Sequence, residues 1–120
     1  MLAVGVDLVE VARIEGMVAR HGQRFLQRIY TDEELRYCAG RPPQLAARFA
    51  AKEALSKLLG SGVVGLRWQD LEVLPDGQGK PLVRLHGPAQ RRAAALGLQE
   101  IAISLSHTEG LAIAFAVGQG

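Results

Sequence analysis

The chain has 120 residues, 48% of them apolar and 22% charged, which excludes a disordered chain and leaves room for one domain with one core. Fourteen basic and twelve acidic side chains leave a net charge of +2, and the pI near 9.0 is compatible with an acidic partner. A single cysteine, Cys38, excludes an internal disulfide and a cysteine-based zinc cluster, and fits a reduced, cytoplasmic setting. Met1 to Val9 is too short and too acidic, with Asp7 inside it, to read as a signal peptide.

Leu2, Val4, Val6 and Leu8 alternate with Ala3, Gly5, Asp7 and Val9, the period of a half-buried strand. Asp7 lies on the face opposite the large apolar residues, where an acid costs stability unless something pairs with it. From Glu10 the period becomes helical. Val11, Ile14, Val18, Phe25 and Ile29 share one side, with a bend at Gly22. Arg13, Met17, Arg20, Arg24 and Arg28 share another, a basic stripe with a methionine in it. Such a stripe is usually solvated; it is also the surface that receives an acidic helix from a partner protein. A membrane surface fits it less well, because Trp and Lys-rich flanks are missing, and no apolar run reaches the length of a span. Nucleic acid fits least, for want of interleaved aromatics. Thr31-Asp32-Glu33-Glu34 reads as a capping box that opens a short helix to about Ala39, stopped by Gly40. Pro42-Pro43 then leads into the next element.

Arg48 to Lys57 reads as the central helix. Ala51, Leu55, Leu58 and Leu59 form a buried stripe, Glu53 and Lys57 are neighbours one turn apart on another face, and Arg48, Lys52 and Ser56 make a third row. Gly60-Ser61-Gly62 ends it. One carboxylate among basic side chains, beside a glycine-rich loop, fits two readings. It is either a solvated ion-paired face or a site for a phosphorylated ligand with the carboxylate on a metal, and spacing alone does not choose. Leu66 to Leu74 reads as a strand, Pro75 to Gly79 as a turn, Pro81 to Leu85 as the returning strand, and Gly87-Pro88 opens a helix to Leu96 with Arg91 and Arg92 exposed. The last third is a hairpin: Ile101, Ile103 and Leu105 alternate with Ala102, Ser104 and Ser106, and Leu111, Ile113, Phe115 and Val117 with Ala112, Ala114 and Ala116. The small residues imply close packing there against another element or another subunit. No P-loop, dinucleotide fingerprint, nucleophile elbow or zinc-protease motif occurs.

Four segments stand in a telling order: Val4-Gly5-Val6-Asp7-Leu8-Val9-Glu10, then Ala47-Arg48-Phe49-Ala50-Ala51-Lys52-Glu53-Ala54-Leu55-Ser56-Lys57, then Asp70-Leu71-Glu72-Val73 with Gly79-Lys80-Pro81, then Ile103-Ser104-Leu105-Ser106-His107-Thr108. With them the chain resembles, over nearly its whole length, the holo-acyl-carrier-protein synthases, the short bacterial branch of the 4′-phosphopantetheinyl transferases. The resemblance implies an α+β fold, an antiparallel sheet packed with a long central helix and shorter helices, as one domain over residues 1–120. It implies transfer of 4′-phosphopantetheine from coenzyme A to a serine of apo acyl carrier protein, releasing adenosine 3′,5′-bisphosphate, with magnesium required. Asp7 and Glu53 match the family's metal carboxylates and, with Lys57, its catalytic set. Arg48, Lys52, Lys57, Gly60, Ser61, Gly62, Ser106, His107 and Thr108 are assigned to coenzyme binding, and Arg13, Met17, Arg20, Arg24 and Arg28 to docking the carrier. The resemblance also implies a homotrimer with sites between subunits, which the alanine-lined hairpin face fits. The base is Glu53, Asp7 or a metal-bound water; a water held by Glu53 is preferred, because a carboxylate on a metal is a poor base. Arg36 stands where some relatives carry an acid, which removes one candidate, and Ala47 replaces a glycine common in the family motif. The alternative is a non-catalytic carrier-protein or phospholigand-binding module of the same fold, against which the presence of both Asp7 and Glu53 argues.

Overall fold

In the computed structural model, which describes residues 1–60 and 65–120, the expected strand period and the helical period after it become β1 (Leu2–Glu10), α1 (Val11–His21) and α2 (Gln23–Ile29). Gly22, at φ 54°, breaks the two helices apart at the expected bend. The capping box forms as read. The Thr31 hydroxyl accepts from Glu34 N at 3.1 Å, Glu34 Oε1 accepts from Thr31 N at 2.9 Å, and α3 (Asp32–Cys38) follows. The central helix α4 (Pro42–Leu59) starts earlier than its charged core suggested, with prolines in its first turn, where no N–H is needed. It stops at Gly60, whose φ of 88° suits glycine. Ser61 and Gly62, expected in the loop beyond, lie outside the described residues.

The stretch read as one strand from Leu66 is instead a 3-10 turn (Trp68–Asp70) followed by β2 (Leu71–Pro75). Asp70 causes the difference: its carboxylate accepts from Arg67 N at 3.2 Å and caps the turn. β3 (Pro81–Leu85), α5 (Gly87–Ala95), β4 (Glu100–His107) and β5 (Leu111–Gln119) complete the chain. β2 pairs with β3, and β1, β5 and β4 form a second antiparallel sheet in that order. The architecture is α+β, with α4 laid across the three-stranded sheet and α1, α2 and α3 around it. Among the described residues no helix is long and apolar enough to cross a membrane.

The sheet is turned the opposite way from the usual assumption about bulky residues. Gly5, Ala112, Ala114 and Ala116 face α4 and are buried, while Leu2, Val6 and Phe115 on the other side are 70%, 46% and 46% exposed. Small side chains let helix and strands approach closely, so the alanine face of β5 packs on α4 and is not free for a neighbouring subunit. On β4 the faces are exchanged: Ile103 is buried, and Ala102, Ser104 and Ser106 point outward. α4 is consequently covered on nearly every side, from Leu45 through Lys52 without a break.

Candidate functional site

The first cluster is built where β1 crosses α4. Asp7 is on the α4-facing side of its strand, with its side chain 18% exposed. Lys57, one helical turn beyond Glu53, donates to Asp7 Oδ1 at 3.1 Å and to the Val6 carbonyl at 3.0 Å. Burial pushes the Glu53 carboxyl above its ordinary value, and the Asp7 charge pushes it further, while Arg13 and Lys57 pull it back. Two acids separated by 46 positions in sequence thus repel each other in space. Among the described residues no group of three or more histidine, cysteine or acidic side chains gathers to hold a metal. Two carboxylates could hold a hard cation only if it took its other ligands from phosphate and water.

Beside Glu53 lies a hollow of about 230 Å³ between α1, α2, α4 and the 3-10 turn. Phe49 and Trp68 stack at its floor with centroids 5.7 Å apart, and the Arg13 guanidinium lies 5.5 Å from the Phe49 centroid. Met17 and Arg28 line the same hollow. A second hollow, opening next to it, is lined by Met17, Arg24 and Arg28. Arg20 completes the stripe through a contact to the Met17 sulfur at 3.4 Å. The basic stripe therefore forms one surface leading directly to Glu53. Neither Phe49, which falls one turn before Glu53 on the same helix face, nor Trp68, which reads as part of a strand, is given a site role from the sequence.

The second cluster is a cavity of about 170 Å³ reached from a different side of α4. Arg48, Tyr37, Gln44, Pro81 and His107 line it. Arg48 is only 5% exposed, its guanidinium sits 4.4 Å from the Tyr37 ring centroid, and its Nε has no hydrogen-bond partner among the described residues. A buried guanidinium N–H left unpaired is costly and calls for an acceptor from outside. Pro81 belongs to the Gly-Lys-Pro segment already noted in the sequence; Tyr37 and Gln44 carried no signal there. Arg48 and Glu53, five residues apart, project about 140° apart around the helix axis. The two clusters open in different directions.

Three residues expected at the coenzyme do not line the Arg48 cavity. Lys52 is fully buried: its ammonium donates to Glu34 Oε1 at 2.7 Å, Leu71 O at 2.9 Å and Trp68 O at 3.1 Å, so all three donors are in use. Ser106 points outward from the sheet, away from the Arg48 cavity that its neighbour His107 lines. The Thr108 hydroxyl accepts from Leu111 N at 3.2 Å and shapes the β4–β5 turn. Arg92, expected to be merely exposed, donates from Nε to the Leu59 carbonyl at 3.0 Å and caps the end of α4.

Comparison with known proteins places these features in a family. The chain is 50% identical to a holo-acyl-carrier-protein synthase of Herpetosiphon aurantiacus, with all of both chains covered. It is 44% identical to that of Halothermothrix orenii, over 97% of this chain and 95% of the relative. Among solved structures it is similar to the Helicobacter pylori holo-acyl-carrier-protein synthase in complex with coenzyme A, at a TM-score of 0.87 and 32% identity, covering 97% of this chain and 99% of the other. The Chronobacterium ammoniagenes ACPS-CoA complex matches at a TM-score of 0.89 and 30% identity, covering 99% and 97%. The sequence model of the 4′-phosphopantetheinyl transferase superfamily matches residues 3–116, and the chain belongs to that family.

Proposed function

We propose that this protein transfers 4′-phosphopantetheine from coenzyme A to a serine hydroxyl of an apo acyl carrier protein. The observation that carries the reading is the meeting of Asp7, Glu53 and Lys57 where β1 crosses α4, at the end of a basic surface. The serine oxygen bonds to the phosphorus that bears pantetheine, the bond from that phosphorus to the bridging oxygen breaks, and adenosine 3′,5′-bisphosphate leaves. A water held by Glu53 takes the serine proton. Lys57, with its side chain 57% exposed, turns from Asp7 to the diphosphate and offsets the charge that builds on the leaving group. Asp7 and Glu53 would hold magnesium, which when bound supplies charge neutralisation at the diphosphate.

Arg48 supplies the cationic lining for the 3′-phosphate end of the coenzyme and His107 a hydrogen-bonding one, with Tyr37 and Pro81 as flat walls for its base. Because this cavity and Glu53 open in different directions, a single coenzyme reaches both most simply when the cavity belongs to one protomer and Glu53 to another. The bulky outer face of the sheet, Leu2, Val4, Val6 and Leu8 with Ile113 and Phe115, is the surface on which copies would assemble, as a homotrimer. Arg13, Met17, Arg20, Arg24 and Arg28 receive the acidic carrier, steering it electrostatically, and the aromatic floor beside Glu53 takes an apolar side chain next to its acceptor serine.

The test is direct. The protein, coenzyme A, magnesium and an apo carrier are mixed, and the carrier is weighed by mass spectrometry. A gain of one phosphopantetheine group is expected, and an unchanged mass refutes the reading. Glu53→Gln should fold and lose turnover, and full activity in it would remove the role given to Glu53.

A further inference from the structure

The two acids sit on different elements, so their separation is set by how closely β1 lies on α4. At Gly5 that approach leaves no room for a side chain. A Cβ added to Gly5 would stand 2.0 Å from the Ala54 carbonyl oxygen, 3.0 Å from its carbon and 2.9 Å from Leu58 N. Gly5 therefore rests on the helix backbone itself, on the residues that directly follow Glu53 and Lys57. Its φ is not in the left-handed region, so glycine is needed here for space and not for conformation. Asp7 is two residues along the same strand and faces the same way. The neighbouring strand keeps the approach with Ala116 opposite Gly5 and Ala114 opposite Asp7, both fully buried.

We propose that Gly5 is a positioning residue which sets the gap between the Asp7 and Glu53 carboxylates and thereby tunes the site to a small divalent cation. The proposal rests on the reading that these two acids share a metal ion. A Cβ at 2.0 Å must retreat by roughly 1 Å to reach even the closest distance that real contacts show, 3.0 Å, and its obstacle is backbone that cannot rotate away. Magnesium binds oxygen at about 2.0–2.1 Å in a strict octahedron, whereas calcium accepts about 2.3–2.6 Å in flexible geometry. Two bonds that each lengthen by roughly 0.3–0.5 Å span most of such a widened gap. Calcium meets it and magnesium does not.

The experiment titrates Mg²⁺ and Ca²⁺ calorimetrically into the protein with coenzyme A present, for wild type, Gly5→Ala, and Gly5→Ala combined with Asp7→Glu. Gly5→Ala should lower the ratio of magnesium to calcium affinity at least tenfold. The double variant, whose longer acid reaches back across the gap, should recover at least threefold of that loss. A ratio within threefold of wild type in folded Gly5→Ala overturns the proposal, as does an equal loss for both ions. If Gly5→Ala does not fold, as judged by its thermal melt, Ala116→Val lifts the same part of the sheet through a side chain. It should then lower the ratio at least threefold, and an unchanged ratio overturns the proposal. Asp7→Asn separates the two ideas. If it binds magnesium as wild type does, the shared-metal reading fails and the positioning role fails with it; if it abolishes binding while Gly5→Ala leaves the ratio unchanged, only the positioning role fails.

Discussion

Lys52 offers the sharpest separation between a ligand-binding and a structural role. In Lys52→Met the stem is replaced by a side chain of similar length and the ammonium is lost. Glu34 then keeps its bonds from Thr31 N at 2.9 Å and Val73 N at 2.9 Å but loses its counter-charge, and the carbonyls of Leu71 and Trp68 lose a donor. Both partners are 0% exposed, so water does not replace what is removed. Breaking a buried pair from one side costs about 3–5 kcal/mol. A domain of this length loses roughly 4 °C of melting temperature per kcal/mol, so a fall of about 12–20 °C is expected by calorimetry or circular dichroism. Lys52→Met with Glu34→Leu removes both charges together and should recover most of the loss. Well below the melting temperature, the KM for coenzyme A should stay within about twofold, because the ammonium faces the core. A melting temperature within about 3 °C of wild type, or a tenfold rise in that KM without a stability change, would refute this account and return Lys52 to the coenzyme site.

Charge reversal at Arg13 and Arg20 should raise the KM for the carrier at least tenfold with kcat less affected, and the effect should shrink as salt is added; an unchanged KM would undo the docking surface. Phe115→Glu, on the outer face of the sheet, should prevent the proposed trimer from forming, leave monomers in analytical ultracentrifugation and abolish turnover while the protomer still folds; an active monomer would refute the proposal of a site shared between subunits. Burial pushes the Glu72 carboxyl up, but hydrogen bonds from Thr31 at 2.6 Å and His86 at 3.0 Å outweigh it and hold the group below its ordinary value of 4.5. The folded state therefore binds this proton less readily than the unfolded chain. The stabilisation is present above that value and lost as pH falls below it. Wild type should exceed Glu72→Gln in stability by about 1 kcal/mol near neutrality, with the gap closing in acid; a gap independent of pH would contradict the assignment.

Much of this molecule was legible along the chain. The capping box at Thr31, the break at Gly22, the stop at Gly60 and the turn around Asp76 depend on local backbone chemistry, which a few adjacent residues decide. The long-range order of the aspartate strand, the Lys-Glu-Ala helix and the Ser-His-Thr strand was enough to name the family. The alternation along β1 and β5, in contrast, shows that a strand has two faces and leaves open which one lies inside. The usual preference would bury Leu8 and Phe115, but helix and sheet meet here through Gly5 and the alanines because only small residues admit backbone so close. Likewise a row of Arg48, Lys52 and Ser56 looks solvated on an isolated helix, and α4 is not isolated. Whether a cation is a ligand for substrate or a bolt in the core depends on what covers it, and covering is a property of the packed elements together, since burial arises between segments and is carried by none of them alone.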